Sequence, residues 1–112
     1  MMLQKMCRER YGLFINGRWK DASDGGTFTT CSPATGETLA VCAQATRDDM
    51  DEAVRAAWAA FKSWKHVPAA ERAAILNRIA DRIDENAEFL ATIESLDNGK
   101  PIRETLAVDI PF

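Results

Sequence analysis

A nucleophile needs a base within hydrogen-bond reach, and a metal centre needs several nitrogen, sulfur or oxygen ligands gathered together. Few residues in this 112-residue chain could supply either. His66 is the one histidine, and it stands beside Lys65 in a stretch that reads as a connection between helices, so any histidine-dependent triad would rest on it alone. Cys7, Cys31 and Cys42 are odd in number and form no CxxC, which argues against a disulfide framework and against a zinc cluster and leaves three ordinary thiols. Asp81, Asp84, Glu85 and Glu88 are interleaved with Arg78 and Arg82 at helical spacing, the pattern of a solvated face with i,i+4 pairs rather than of an acid–base pair in a cleft. The glycines at 12, 17, 25, 26, 36 and 99 compose neither GxGxxG nor GxxxxGKS/T, so neither glycine-rich phosphate cradle is present. No catalytic and no cofactor-binding residue is read from these residues.

Composition narrows the function classes further. Apolar residues make up 46% and charged residues 28%, with both signs mixed and a net charge of −3, which excludes a disordered tail and disfavours a polyanion-binding surface. Nucleic acid is therefore not an expected partner. No run approaches the ~18 apolar residues of a membrane-spanning helix, and Met1 to Arg10 lacks the apolar run of a signal peptide. The expectation is a soluble cytoplasmic protein without a membrane partner.

The elements that must position any site divide the chain into an irregular lead-in (1–12), a β-rich stretch (13–45) and a helical stretch (46–112). Leu13-Phe14-Ile15, Asn16-Gly17 and Arg18-Trp19 predict a tight hairpin, because Asn-Gly accepts the positive φ of a type I′ turn. Asp24-Gly25-Gly26 marks a second turn, Thr27 to Cys31 a strand, Ser32-Pro33-Ala34-Thr35-Gly36 a third turn, and Thr38 to Ala45 another strand.

From Thr46 the apolar period changes to 3.6. Thr46 with Asp49 three residues on predicts an N-cap, and Met50, Ala53, Val54, Ala57, Trp58 and Phe61 form one face of a helix reaching about Lys62. Pro68 suits the first position of a second helix striped by Ala73, Leu76, Ile79, Ala80 and Ile83. Asn86 can cap a third helix bearing Leu90, Ile93 and Leu96, which should close at Asn98-Gly99, with Pro101 opening a fourth. That fourth helix leaves Ile102, Leu106 and Ile110 as an open stripe at Pro111-Phe112, so the pattern predicts further sequence beyond it.

Several short segments stand together in a telling order: Leu13-Phe14-Ile15-Asn16-Gly17-Arg18-Trp19, Gly26-Thr27-Phe28, Ser32-Pro33-Ala34-Thr35-Gly36-Glu37, Asp51-Glu52-Ala53-Val54 with Ala60-Phe61 and Trp64, Glu71-Arg72-Ala73 with Leu76, and Leu96-Asp97-Asn98-Gly99-Lys100-Pro101. In this arrangement the chain resembles the front of an NAD(P)-dependent aldehyde dehydrogenase. The resemblance covers residues 13 to 110.

The resemblance implies an α/β fold: a hairpin and short strands, then three to four helices, forming the N-terminal part of a Rossmann-type cofactor domain that is incomplete as given. It implies an activity for the full enzyme, oxidation of an aldehyde through a cysteine thiohemiacetal with reduction of NAD or NADP. The family's catalytic cysteine, general-base glutamate, oxyanion asparagine and cofactor contacts match no residue here, so this chain alone is expected to be inactive. One site does carry over: many members hold a structural monovalent cation with main-chain carbonyls just before the Pro-Ala-Thr-Gly turn and with the aspartate of Leu-Asp-Asn-Gly, which fall on Thr30, Cys31 and Asp97. Lys100 to Thr105 and Asp109-Ile110-Pro111 are most similar to bacterial enzymes acting on acetaldehyde and other short aliphatic aldehydes. The aldehyde substrate belongs to the full enzyme. An alternative role is an interaction module that self-associates or pairs with a complementary fragment through its open helix stripes.

Overall fold

The computed structural model describes residues 8–112, and Cys7 lies outside the described residues. Five short strands come first: β1 (Arg10–Tyr11), β2 (Leu13–Ile15), β3 (Arg18–Lys20), β4 (Thr27–Cys31) and β5 (Thr38–Ala43). Helices follow: α1 (Arg47–Trp64), α2 (Ala69–Glu85), α3 (Ala87–Asn98) and α4 (Ile102–Glu104), the last running into a π-helical turn at Thr105–Asp109. Short strands followed by four helices is the order that the residue pattern predicts.

The chain divides into two compact units. The first joins Arg8–Thr29 to Ala40–Val67. In it β2 and β3 pair antiparallel, with Phe14 opposite Trp19. Asn16 and Gly17 both have positive φ (51° and 75°), the geometry whose twist matches that of the flanking strands. The lead-in expected to be irregular contains β1, whose Arg10 and Tyr11 run parallel to Val41 and Cys42 of β5. A two-residue strand has no period of its own, and its partner is distant in sequence, so local pattern carried no sign of it. α1 starts at a complete capping box: the Thr46 hydroxyl accepts from the Asp49 N–H at 3.2 Å, and Asp49 accepts from the Thr46 N–H at 3.0 Å. It packs against β2.

The second unit joins Thr30–Leu39 to Pro68–Phe112. Pro68 is the N-cap of α2, with extended ψ of 143°, rather than the helix's first residue. Asn86 makes no side-chain cap for α3; its amide donates instead to the Arg82 carbonyl at 2.7 Å and so serves the end of α2. Gly99 closes α3 with φ of 80°, as a left-handed cap does. The tightest packing lies between α3 and the π-turn, where Ala91 and Thr105 are both fully buried. The Thr105 hydroxyl has the Ala91 carbonyl at 3.0 Å, the Ile102 carbonyl at 3.1 Å and the Ser95 hydroxyl at 2.9 Å around it. Lys100 reaches Asp109 at 2.6 Å beyond the turn. The stripe on α2 is real, but Leu76, Ile79 and Ile83 are exposed, and α2 buries no residue.

Candidate functional site

The second unit brings together two segments far apart in sequence. Ser32 to Gly36 forms a turn in which the Ser32 carbonyl accepts the Gly36 N–H at 2.7 Å and the Glu37 carbonyl accepts the Ser32 N–H at 2.9 Å. Beside it lies the end of α3, where a Cβ placed on Gly99 would come within 3.0 Å of the Pro33 ring. Glycine at 99 thus answers both a backbone conformation and a close approach. Asn98 clamps this corner, donating to Glu94 at 2.7 Å and accepting the Lys100 N–H at 2.8 Å.

At the mouth of that corner the Thr30 hydroxyl donates to Asp97 Oδ1 at 2.9 Å. Thr30 is half-buried, while Cys31 and Asp97 are exposed. Among the described residues there is no group of three or more His, Cys, Asp and Glu side chains able to hold a metal. Any cation at Thr30, Cys31 and Asp97 would therefore rest on main-chain oxygen and a single carboxylate. Such an oxygen-only set of low charge suits a hard monovalent ion and not a transition metal.

The strongest electrostatic feature lies in the first unit. Asp49 is 1% exposed, and its Oδ2 accepts the Thr46 N–H (3.0 Å), the Ser23 N–H (3.0 Å), the Thr46 hydroxyl (2.9 Å) and the Ser23 hydroxyl (3.3 Å). Oδ1 takes no hydrogen bond, and Lys20 Nζ stands 3.5 Å away while bonding Glu52 at 2.6 Å. The Thr46 N–H, then the Ser23 N–H, hold the Asp49 carboxyl well below the usual carboxylate range. The Glu52 carboxylate in turn pushes the Lys20 ammonium up. This cluster ties the start of α1 to β3 and the loop after it. The capping box was readable at Thr46 and Asp49; the parts played by Ser23 and Lys20 were not, since nothing local marks them.

His66 is exposed in the connection before α2, Cys31 is an exposed free thiol and Cys42 a half-buried one. On α2 the Arg82 guanidinium pairs with Glu85 at 2.6 Å on an exposed face, at i,i+3 rather than the expected i,i+4 spacing.

The aldehyde dehydrogenase family model matches residues 19–112. This chain belongs to the aldehyde dehydrogenase family. It is 51% identical over 105 residues to an aldehyde dehydrogenase of Rhodospirillum rubrum, covering 94% of this chain and 21% of that relative. It is 45% identical to aldehyde dehydrogenase B of Escherichia coli, over 94% of this chain and 20% of that protein. The aldehyde dehydrogenase of Bacillus cereus, solved as its NAD+ complex, has the same fold in this region: 43% identity and a TM-score of 0.90, covering 97% of this chain and 23% of that one. The chain thus spans about a fifth of the length of the relatives it matches. It is an N-terminal segment of the aldehyde dehydrogenase fold.

Proposed function

We propose that this chain forms the N-terminal part of the cofactor-binding domain of an enzyme that oxidises a short aliphatic aldehyde to its carboxylic acid. NAD or NADP takes the hydride in that chemistry. The observation that carries the reading is the family match over residues 19–112, joined to a fold shared at high similarity with an enzyme solved in complex with NAD+. The resemblance of Lys100 to Thr105 to enzymes of short aldehydes supports the substrate class. The part assigned to this chain is scaffold: none of its residues matches the family's catalytic cysteine, general-base glutamate or oxyanion asparagine, and by itself it is inactive. The test is NADH formation from acetaldehyde by the chain alone and by a fusion that supplies the remaining four-fifths of the Rhodospirillum rubrum relative. No turnover by the chain and turnover by the fusion is the expected pair; an inactive fusion that is folded and binds NAD+ sinks the reading. Free thiols at Cys31 and Cys42 support a cytoplasmic location, and no helix among the described residues is long and apolar enough to cross a membrane.

The same reading gives Thr30, Cys31 and Asp97 a role as ligands of a structural monovalent cation, the two main-chain carbonyls and the carboxylate supplying oxygen. What supports it is the 2.9 Å contact that brings Asp97 to Thr30 across the turn. The check is thermal unfolding in sodium, potassium and choline chloride at equal ionic strength. A midpoint raised by sodium or potassium over choline, and no longer raised in Asp97→Asn, is expected; equal midpoints in all three salts refute it.

A second reading, an interaction module, is favoured by the exposure of Val54, Trp58 and Phe61 on α1.

A further inference from the structure

The chain holds the dipeptide Asn-Gly twice, at Asn16-Gly17 and at Asn98-Gly99. Asparagine followed by glycine is prone to a spontaneous covalent change, because glycine has no Cβ to hinder its nitrogen from reaching the preceding side-chain carbonyl carbon. The fold governs that reaction in three ways: whether the glycine N–H is held, whether the asparagine amide is held, and whether the main chain has room to turn. Both asparagines are exposed, so access to water does not separate them.

Hydrogen bonding does. Asn98 is held at every reacting group: Nδ2 donates to Glu94 at 2.7 Å, Oδ1 accepts the Lys100 N–H at 2.8 Å, and the Gly99 N–H donates to the Ser95 carbonyl at 3.0 Å. The Pro33 ring, which a Cβ on Gly99 would approach to 3.0 Å, leaves that main chain little room. Closing a ring at this end of α3 breaks all three bonds. Asn16 differs on each count. Neither its side-chain amide nor the Gly17 N–H bonds any group among the described residues, the turn being held by the Ile15–Arg18 pair of its flanking strands. A Cβ placed on Gly17 would meet nothing within 4 Å, so the hairpin tip stands in open space.

We infer that Asn16 is a site of spontaneous deamidation in this chain, and that Asn98, in the same dipeptide, is spared by its hydrogen bonds. The Gly17 amide gives its proton to hydroxide and its nitrogen attacks Asn16 Cγ; the Cγ–Nδ2 bond breaks, ammonia leaves, and a five-membered succinimide joins the two residues. Water then opens the ring. Addition at Cγ leaves aspartate at 16, and addition at the main-chain carbonyl leaves isoaspartate, in which the chain runs through Cβ and Cγ. One water is consumed and one ammonia released, with no change of oxidation state.

The two products differ in what they do to the fold. Asp-Gly accepts the positive φ values of 51° and 75° as Asn-Gly does, so aspartate keeps the hairpin and adds one negative charge to the net −3. Isoaspartate lengthens the main chain by one carbon inside a two-residue turn. It thereby disturbs the register that sets Phe14 opposite Trp19, with their rings 5.1 Å apart.

The test incubates the chain at mildly alkaline pH, in buffer and in urea, and follows both asparagines over time by fragmentation mass spectrometry of the tryptic peptides Tyr11–Arg18 and Ile83–Arg103. Similar rates are expected in urea. In buffer Asn16 should react at least about tenfold faster than Asn98, since only Asn98 must first lose hydrogen bonds. An isoaspartyl carboxyl methyltransferase should then label the Tyr11–Arg18 peptide. Glu94→Ala, which frees the Asn98 amide of one bond, should speed Asn98 and leave Asn16 unchanged. Equal rates in buffer, a faster Asn98, or an Asn16 that reacts in urea but not in buffer overturns the inference, as does an Asn98 rate that E94A leaves unmoved. The outcome is independent of the enzymatic reading, because no step uses an aldehyde or a nucleotide.

Discussion

Thr105 offers the sharpest test of how the second unit holds together. Its hydroxyl has one proton to give, so of the Ala91 and Ile102 carbonyls it serves one well at a time, while Ser95 supplies or shares a second bond. The site is fully buried, so no water can replace what is removed. Thr105→Val keeps the shape and deletes one donated and one accepted hydrogen bond, at about 1 kcal/mol each, for an expected loss of about 2 kcal/mol. Thr105→Ser keeps the hydroxyl and removes a methyl group, for a loss of about 1 kcal/mol. Urea unfolding followed by circular dichroism gives both values, provided the m-values are unchanged. Ser95→Ala completes a double-mutant cycle, in which a coupling of about 1 kcal/mol isolates the shared bond. Hydrogen exchange at the Ile110 amide, which bonds the Thr105 carbonyl at 3.0 Å inside the π-turn, reads the same effect locally. A valine variant within about 0.3 kcal/mol of wild type, with Ile110 still protected, would show that side-chain packing and not the hydroxyl sets the turn.

Asp49 sets an acid limit on the first unit. Its carboxyl titrates lower when folded than when unfolded, so its contribution is fully present above the unfolded value, near pH 4, and is lost as pH falls toward the folded value. Urea midpoints measured from about pH 7 down to about pH 2 should fall in wild type, and Asp49→Asn should start lower and fall less; parallel curves would refute the assignment. Gly99→Ala must adopt φ of 80° and press a methyl group toward Pro33, and should lose about 1–2 kcal/mol in the same unfolding assay. An unchanged midpoint there would mean that the turn and the end of α3 separate freely.

How much could be read from the sequence follows the range of the interactions. The Asn16-Gly17 hairpin, the Thr46–Asp49 capping box and the Gly99 cap each depend on residues within a few positions, and each stands where the pattern put it. Pro68 stands at the N-cap of α2 rather than one position inside it, because cap and first-turn residues differ by one position and share residue types, while Asn86 holds the N-cap position of α3 but turns its side chain to the end of α2. β1, the Ser23 and Lys20 contacts of Asp49, and the Thr105 knot all join residues distant in sequence and could be seen only in three dimensions. Of the candidate site, the family pattern singled out Thr30, Cys31 and Asp97, and the direct hydrogen bond between Thr30 and Asp97 came from the fold.

The apolar stripes separate local from global specification. Helical period fixes which residues of α1 and α2 share a face, and that much the structure keeps. Period cannot say whether a face is covered, and here Trp58 and Leu76 stand 66% and 67% exposed. What holds α1 in place is instead polar: the buried carboxylate of Asp49, gripped by Thr46 and Ser23, fixes the start of the helix without using its stripe. A segment whose helices are anchored by caps and buried polar knots can keep its conformation while its largest apolar side chains stay exposed, so the helical period records which residues share a face and the polar contacts record what fixes the helix.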